Sequence, residues 1–446
     1  MGTHETKGFE TMSLDVAIFG GGAAGLWLLD ELTRRGCHSL LFEAQELGQG
    51  QTVACQGIIH GGLKYTLDGL LTPSARSIRQ MPQLWRACLA GERPPDLSRV
   101  RVRSDDCYLW RTETIRSRVG MIGARYGLRT VPTVVPRNER PPVLAPCSGT
   151  VVRVAEPVID PQSFLQVLAE RHRDRLLVIR MPGGVELVRG GPAPGPRTPT
   201  VRAIRVQNPR TRAWLELNAR WIVFAAGAGN AVLRRAAGLT RPITQHRPLH
   251  MVLVRGTLPK LNGHCVDGAR TRVTITWDQD RTGRIVWQLG GQIAEDGVAM
   301  ESDELLRHAL RELHEVLPGL DLSETQWATY RVDRAERQTS GGKRPPAHQI
   351  VQDGNCLTIW PTKLALVPKL AADVAQRILG PPEARRGDTA GTVPAGTSSR
   401  TGLSAWRDRL TDWPRPRVAQ PPWERCHEWF CVQNGRLVAI EERRAA

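Results

Sequence analysis

The chain has 446 residues, with 61 Lys and Arg against 44 Asp and Glu, and a net charge of +17. This length exceeds a single compact core and predicts two domains with extensions. Its 41% hydrophobic and 24% charged residues are typical of a globular protein and exclude collagen-like, coiled-coil and wholly disordered classes. The positive charge is compatible with nucleic acid, but the basic residues are scattered and aromatic residues make up only 5%. The positive charge therefore favours attraction to anionic substrates over a nucleic-acid partner.

The cysteines and the N-terminal residues indicate the cellular compartment of the protein. Nine cysteines without a C-x-x-C pair are typical of idle thiols in a reducing compartment. Cys426, His427 and Cys431 are close in sequence, but their spacing matches no zinc template, so no metal site is predicted. Neither a signal-peptide core nor an apolar run of bilayer length is present. We expect a cytoplasmic protein, with peripheral membrane contact left open.

Residues 15–43 have the order of a dinucleotide-binding unit: an apolar strand, a G-x-G-x-x-G turn, a helix, and a second apolar strand that ends in an acid. The first glycine permits a tight turn, the second lets backbone approach a pyrophosphate, and the third lets the helix pack close to the strand. The N-terminus of the helix favours phosphate through its unpaired N–H groups and partial positive charge. The acid stands where a ribose hydroxyl is bound. The predicted cofactor contacts here are Gly20, Gly22, Ala23, Ala24, Gly25 and Glu43.

A second glycine-rich segment, which we call the glycine-rich loop, covers residues 48–62 and holds five glycines among polar side chains. So many glycines are typical of backbone that presses against a flat ligand. We predict that Thr52, Gln56 and Gly57 contact the cofactor. His60 is the first candidate for a proton acceptor, because imidazole titrates near neutral pH. Alternatively, His60 only hydrogen-bonds the backbone of the loop.

A third segment, residues 220–230, has an apolar strand over 221–225 that runs into small residues and then a helix over 231–237. Small residues at the carboxyl end of a parallel strand leave room for a dinucleotide. Ala226 and Gly227 are therefore predicted cofactor contacts, with an ordinary tight turn as the alternative.

Elsewhere, periodicity predicts the remaining elements in chain order. Asp160 followed by Pro161 is a good helix start, because Asp caps the first turn and Pro fits it. Alternation around the sequence QDRTG predicts an antiparallel hairpin. Strands are expected at 107–110, 149–154, 176–180, 185–188, 248–255, 272–278, 284–289 and 357–360, and helices at 70–89, from 161, at 302–317 and from 368.

The order strand, GxGxxG, helix, strand and Glu, followed by G-x-G-x-T-x-A-x-Q-G-I-I-H-G-G-L-K-Y, resembles the flavin-dependent family of D-amino-acid oxidase, glycerol-3-phosphate dehydrogenase and 2-hydroxyglutarate oxidase. The run HGGLKY is most similar to the glycerol-3-phosphate dehydrogenase form, with Lys64 where that form has Arg. The resemblance covers about residues 14–379. It implies FAD as the cofactor, with the glycine-rich loop lying over its isoalloxazine ring.

The resemblance also implies an α/β fold: a Rossmann-like FAD-binding domain of the glutathione-reductase type with an inserted antiparallel-sheet substrate domain. Residues 14–80, 149–240 and 335–380 are expected to form the FAD-binding domain, and 81–148 and 241–334 the substrate domain. Residues 1–13 are expected to be a disordered tail. Residues 381–402, rich in Pro, Gly, Ser and Thr, are expected to be a linker before a C-terminal extension, 403–446, to which no role is assigned.

The activity implied is oxidation of a small polar hydroxy or amino compound by hydride transfer to flavin N5. Where the family has a glycine turn returning to the flavin, this chain has Pro361, Thr362 and Lys363. Lys363 is expected both to contact the cofactor and to add positive charge near the reduced ring.

Further candidates for the active site are charged or titratable. Arg331 and Arg334 offer bidentate clamps for a carboxylate or phosphate, with surface ion pairs as the alternative. The predicted catalytic residues are His60, Arg334 and Lys363. His264 is a second candidate base, expected to be exposed in a loop, and Tyr65 is a candidate for lining the pocket.

No second GxGxxG is present for NAD(P)H, so the electron acceptor is expected to be oxygen, a quinone or a carrier protein. A flavin-dependent RNA-modifying enzyme and a non-catalytic dinucleotide-binding protein are the alternative functions.

Overall fold

The computed structural model describes residues 11–62, 78–112, 132–190, 201–267, 270–380, 409–433 and 436–439. Its strands are β1 Thr11–Phe19, β2 Ser39–Glu43, β3 Val102–Ser104, β4 Cys107–Trp110, β5 Thr133–Val134, β6 Val151–Val154, β7 Val158–Ile159, β8 Leu176–Val178, β9 Val185–Arg189, β10 Val201–Gln207, β11 Trp214–Phe224, β12 Thr244–Gly256, β13 Gly263–Asp267, β14 Arg270–Gln279, β15 Ile285–Gly290, β16 Gln326–Arg337, β17 Gln349–Asp353, β18 Cys356–Trp360, β19 Phe430–Gln433 and β20 Arg436–Ala439. Its α-helices are α1 Ala23–Arg34, α2 Met81–Leu89, α3 Pro161–Arg171, α4 Asn230–Ala236, α5 Gln292–Asp296, α6 Ser302–Val316, α7 Val367–Leu379 and α8 Pro422–Arg425.

The first sheet is built around parallel strands in the order β18-β11-β1-β2-β8. Phe19 at the end of β1 lies beside Phe42 of β2 and Phe224 of β11, so three strands finish at one edge. Parallel strands are buried on both faces, which explains the continuous apolar runs in the sequence. On one face, Trp27 of α1 packs against Trp85 of α2 and Phe164 of α3. Buried side chains of α7 belong to the same hydrophobic cluster.

The starts of β1 and α3 can be compared with the predictions from sequence. β1 begins at Thr11, so residues 11–13 were wrongly assigned to the tail; their backbone pairs with residues 216–218 of β11. α3 begins at Pro161 as predicted, and the Asp160 carboxylate accepts a hydrogen bond of 2.9 Å from the Gln162 N–H. The predicted helix over 70–89 is confirmed for its described end, α2.

The second sheet is mostly antiparallel, in the order β20-β19-β16-β12-β15-β14-β13-β4-β6-β5. The predicted hairpin is confirmed: β14 and β15 pair with Trp277 opposite Trp287. One face of this sheet packs against α6, whose buried residues include Leu305 and Leu313. β6 lies in the segment 149–240, which was assigned to the FAD-binding domain, but it pairs with β4 in this second sheet. β16 crosses the predicted domain boundary at residue 334.

The described part of the C-terminal extension joins the two sheets. The Leu47 N–H donates to the Arg417 carbonyl at 2.8 Å, which ties the extension to the segment after β2. Farther along, β19 pairs with β16, and the Arg255 guanidinium lies 3.6 Å from the ring centre of the buried Trp429. The extension is thus part of both halves; residues 381–402 and 1–10 lie outside the described residues. Within the described ranges, no helix has both the length and the apolar character needed to cross a bilayer.

Candidate active site

The two glycine-rich turns of the first sheet lie side by side. Gly20 has φ +110, and a Cβ at this position would come within 2.5 Å of the Ala226 Cα. The Ala225 N–H donates to the Phe19 carbonyl at 2.8 Å, so the turns after β1 and β11 are joined directly. A glycine is required at the first turn and a small residue at the second, because the backbones touch.

The N-terminus of α1 is bordered by backbone and by one hydroxyl. A Cβ on Gly25 would stand 2.0 Å from the Gly20 carbonyl oxygen, so this glycine lets α1 lie against the turn, with Ala24 buried beside it. The Thr52 Oγ1 accepts from the Ala23 N–H at 3.2 Å and would lie 3.2 Å from a Cβ on Gly22. The positive end of this helix suits the phosphates of a dinucleotide. Gly227 has φ +55, and a Cβ at this position would stand 3.7 Å from Gln51 Oε1.

Glu43 ends β2 beside the same turn. Its carboxylate accepts from the Gly21 N–H at 2.6 Å and from the Gln45 N–H at 2.9 Å. Burial raises the pKa of Glu43, and these backbone N–H groups oppose that shift because they stabilise the charged form. The position and the acceptor chemistry of this acid fit a ribose hydroxyl.

The glycine-rich loop is held against the second sheet. Gln56 Nε2 donates to the Thr274 carbonyl at 3.0 Å and to the Gln288 carbonyl at 2.8 Å. From the sheet, the Tyr330 hydroxyl and Gln288 Nε2 both donate to the Ala54 carbonyl, at 3.0 and 2.9 Å. Burial raises the pKa of Tyr330, so its hydroxyl stays protonated as a donor. Sequence reasoning missed Tyr330 and Gln288, because nothing in an alternating strand marks which residues a distant loop will meet.

Gly57 ties the other side of the loop to β7. It has φ +75, a Cβ there would stand 2.0 Å from the Ile159 carbonyl oxygen, and its own carbonyl accepts from the Ile159 N–H at 3.0 Å. Gln56 and Gly57 therefore set the path of the loop, and their predicted contact with the cofactor stays a prediction.

His60 emerges from this loop beside a buried acid. Its Nδ1 lies 3.1 Å from Glu156 Oε2, and Glu156 Oε1 accepts from the Gly61 N–H at 2.6 Å. The Glu156 side chain is 5% exposed and that of His60 16%. The Glu156 carboxylate thus contacts both the His60 ring and the loop backbone, and the choice between a catalytic and a structural role for His60 stays a prediction. Glu156 was missed by sequence reasoning, since it is 96 residues from His60 and follows β6 in an ordinary turn.

His264 completes a group that we call the histidine–glutamate group: His60, Glu156 and His264. The expectation that His264 is exposed in a loop was wrong, because it lies in β13 and is 2% exposed. Its ring centre is 5.5 Å from that of His60, and its Nδ1 lies 2.8 Å from Thr274 Oγ1. The parallel pairing of β13 with β4 places it inside the second sheet.

The turn after β18 carries Lys363, which is buried. Before it, Thr362 takes φ +64, a left-handed conformation that is uncommon for a β-branched residue, and its Oγ1 donates to the Ala347 carbonyl at 3.0 Å. The turn therefore keeps a conformation that glycine favours, although the glycines of the resembling family are missing. α7 begins four residues after Lys363.

The two predicted arginine clamps make local contacts. Arg334 donates to the Arg247 carbonyl at 3.2 Å and lies 3.5 Å from Glu295, and burial lowers its pKa. Arg331 is exposed and donates to the carbonyls of Val298 and Met300. These contacts do not join either arginine to the histidine–glutamate group. Lys64 and Tyr65 lie outside the described residues.

Comparisons with known proteins agree with this geometry. The family described as FAD dependent oxidoreductase (DAO) matches residues 15–350. The chain is 38% identical over 420 residues to the probable FAD-dependent oxidoreductase PA4991 of Pseudomonas aeruginosa, covering 93% of this chain and 98% of that protein. The crystal structure of that protein matches with a TM-score of 0.71 and 36% identity, over 93% and 98% of the two chains.

Two more distant structures share the fold. Glycine oxidase from Geobacillus kaustophilus matches with a TM-score of 0.58 and 17% identity, over 87% of this chain and 99% of that one. L-α-glycerophosphate oxidase from Mycoplasma pneumoniae, with FAD bound, matches with a TM-score of 0.57 and 15% identity, over 82% and 94%. With a parallel sheet whose glycine turns fit a dinucleotide, and with these relatives, the chain belongs to the DAO family of FAD-dependent oxidoreductases.

Proposed function

We propose that this protein oxidises a small polar hydroxy or amino compound, with His60 as the group that takes the substrate proton. The buried pair of His60 and Glu156, on the loop that follows the dinucleotide turn, carries the proposal. The glycine turns at Gly20 and Ala226 and the carboxylate of Glu43 would hold FAD, which would supply the hydride acceptor of the reaction. The two more distant relatives are named for glycine and for glycerophosphate, an amino and a hydroxy compound, which supports this class of substrate.

His60 is suited to take a proton because of its partner. In the proposal Glu156 is the ionised partner and only accepts hydrogen bonds, which assigns the Nδ1 proton of His60 to this contact and the lone pair to Nε2. The substrate O–H or N–H proton then passes to Nε2, and Glu156 stabilises the imidazolium that forms. Glu156 acts through His60 and is a positioning residue.

Lys363 supplies the second charge in the proposal. It follows the left-handed turn after β18, and a buried ammonium there favours negative charge on the reduced cofactor. Arg334 is left out of the mechanism, since its guanidinium lies beside Glu295 and Arg247.

The same proposal assigns the two sheets. The first sheet, with α1, is the Rossmann-like, glutathione-reductase-type domain that binds FAD, because the glycine turns and Glu43 meet at its edge. The second sheet is the inserted domain that faces the substrate, because β14, β15 and β16 hold the glycine-rich loop through Gln56 and Tyr330. Because β6 pairs with β4 and β16 pairs with β12 along its length, the proposal counts β6 and all of β16 in this second domain.

Anaerobic reduction tests the proposed function. The purified holoenzyme is mixed with glycerol 3-phosphate, 2-hydroxy acids and amino acids in turn, and the visible absorbance of the oxidised flavin is followed. At least one compound should bleach it, since the hydride moves to the flavin before any acceptor is needed. Bleaching by dithionite alone, and by none of the three classes, would contradict the proposed substrate class. Admitting oxygen, a quinone or a carrier protein afterwards identifies the acceptor.

Replacing Glu43 by Ala should weaken FAD binding by about 10- to 100-fold, because a hydrogen bond to a charged group contributes about 1.5–3 kcal/mol. The measurement is a titration of FAD into apoprotein, followed by flavin fluorescence. Glu46→Ala is the matched control, a neighbouring glutamate whose backbone N–H is bonded to Gln49. Equal affinity of the Glu43→Ala variant and the wild-type protein would remove this acid from the ribose.

A further inference from the structure

The histidine–glutamate group brings three possible metal ligands together. One ligand atom from each of His60, Glu156 and His264 lies within 4.8 Å of the other two, and in the described parts of the chain no other group of three meets this spacing. The three residues come from the glycine-rich loop, the turn after β6, and β13. Because they are far apart in sequence, no local spacing pattern marks them as a set of ligands.

The spacing suits a transition-metal ion. Two imidazoles and one carboxylate are a known ligand set for Zn²⁺, with bonds of about 2.0–2.2 Å. Two ligand atoms on one such ion stand about 3 Å apart, and His60 Nδ1 already lies 3.1 Å from Glu156 Oε2. This pair therefore needs little movement to share an ion, and a ligand atom of His264 lies within 4.8 Å of both.

The surroundings of the ligands also match a metal site. Glu156 Oε1 is held by the Gly61 N–H, and His264 Nδ1 is held by Thr274 Oγ1. Such outer hydrogen bonds orient ligands and select the ring nitrogen that binds the ion, here Nε2 of His264. Glu156 and His264 are buried, so a divalent charge between them would be only weakly screened by water.

We propose that His60, Glu156 and His264 form a binding site for one divalent transition-metal ion of the Zn²⁺ type, and that its occupation inhibits oxidation. An ion on Nδ1 of His60 displaces the proton from that nitrogen. The neutral ring then carries its proton on Nε2, so it has no lone pair for the substrate. The inhibition rests on the proposed function; the binding of the ion does not.

Calorimetric titration of Zn²⁺ into the chelator-treated holoenzyme tests binding without any substrate. One ion per chain should bind. Glu156→Gln and His264→Ala should each weaken binding at least about tenfold, because loss of a residue that hydrogen-bonds a ligand already lowers metal affinity by that factor, and loss of the ligand itself should lower it at least as much. His246→Ala is the matched control, because His246 lies 3.7 Å from Asp333 in an exposed pair that has no third ligand among the residues that the structure describes. Binding should be unchanged in that variant.

The outcomes separate clearly. The proposal is overturned if the wild-type protein does not bind Zn²⁺, or if both ligand variants bind it as tightly as the wild-type protein does. Loss of binding in His246→Ala would place the ion elsewhere and would overturn the proposal too. If a ligand variant loses FAD, the test is made on the wild-type protein only. Zn²⁺ should then slow the modification of His60 by diethyl pyrocarbonate, which peptide mass spectrometry measures. An unchanged rate of modification overturns the proposal. If Zn²⁺ binds as expected but no substrate class bleaches the flavin, the metal site stands and the proposed function fails.

Discussion

Replacing His60 by Ala should slow the reduction of FAD by substrate about 10²- to 10⁴-fold, which is the range that a positioned general base contributes. FAD should remain bound, because the positions that fit the dinucleotide are Gly20, Thr52 and Glu43, which the substitution leaves unchanged. Anaerobic stopped-flow measurement with the best substrate of the panel gives the rate of bleaching.

His246→Ala serves as the control for this rate, since it removes a histidine beside a carboxylate on the surface of the second sheet. Its reduction rate should equal that of the wild-type protein. A His60→Ala variant that reduces FAD as fast as the wild-type protein would show that another group takes the proton.

Replacing Asp278 by Ala should lower the free energy of unfolding by about 3–5 kcal/mol, the usual effect of removing one partner of a buried ion pair. Asp278 accepts from Arg103, and their side chains are 3% and 1% exposed. Arg101 lies 2.5 Å from the same carboxylate and 3.0 Å from Asp160, the residue that caps α3. The substitution therefore leaves Arg103 as a buried charge and cuts a link between the second sheet and α3.

Urea unfolding of the FAD-saturated protein, followed by circular dichroism, measures this change. Asp303→Ala is the matched control: its pair with Arg307 is 60% and 57% exposed, and such surface pairs contribute at most about 1 kcal/mol. Equal effects of the two substitutions would mean that Asp160, which lies 3.6 Å from Arg103, compensates fully for the lost carboxylate.

Several parts of the fold were predictable because their signal lies in consecutive residues. The turn at Gly20, the helix after Gly22 and the acid at Glu43 are parts of one short segment whose spacing is set by backbone geometry. The Asp160 cap and the hairpin around the sequence QDRTG are local for the same reason. His60 was found because it stands in such a segment.

Other parts depend on pairing between distant segments. Whether β6 joins the first or the second sheet is decided by hydrogen bonds to β4, which the apolar pattern of β6 does not specify. The burial of His264 likewise follows from the pairing of β13 with β4 and β14. Residues of the extension, such as Trp429, carry no local sign that they cover β16.

The sequence by itself determined the dinucleotide-binding unit, the flavin family and His60 as the candidate base, since each is written in the order of neighbouring residues. Only the tertiary structure decided that Glu156 and His264 lie beside His60, and that Arg334 lies beside Glu295. The physical reason is that a backbone turn is governed by dihedral angles a few residues apart. A cluster of side chains is governed by how whole strands pack, and that packing is spread over the entire chain.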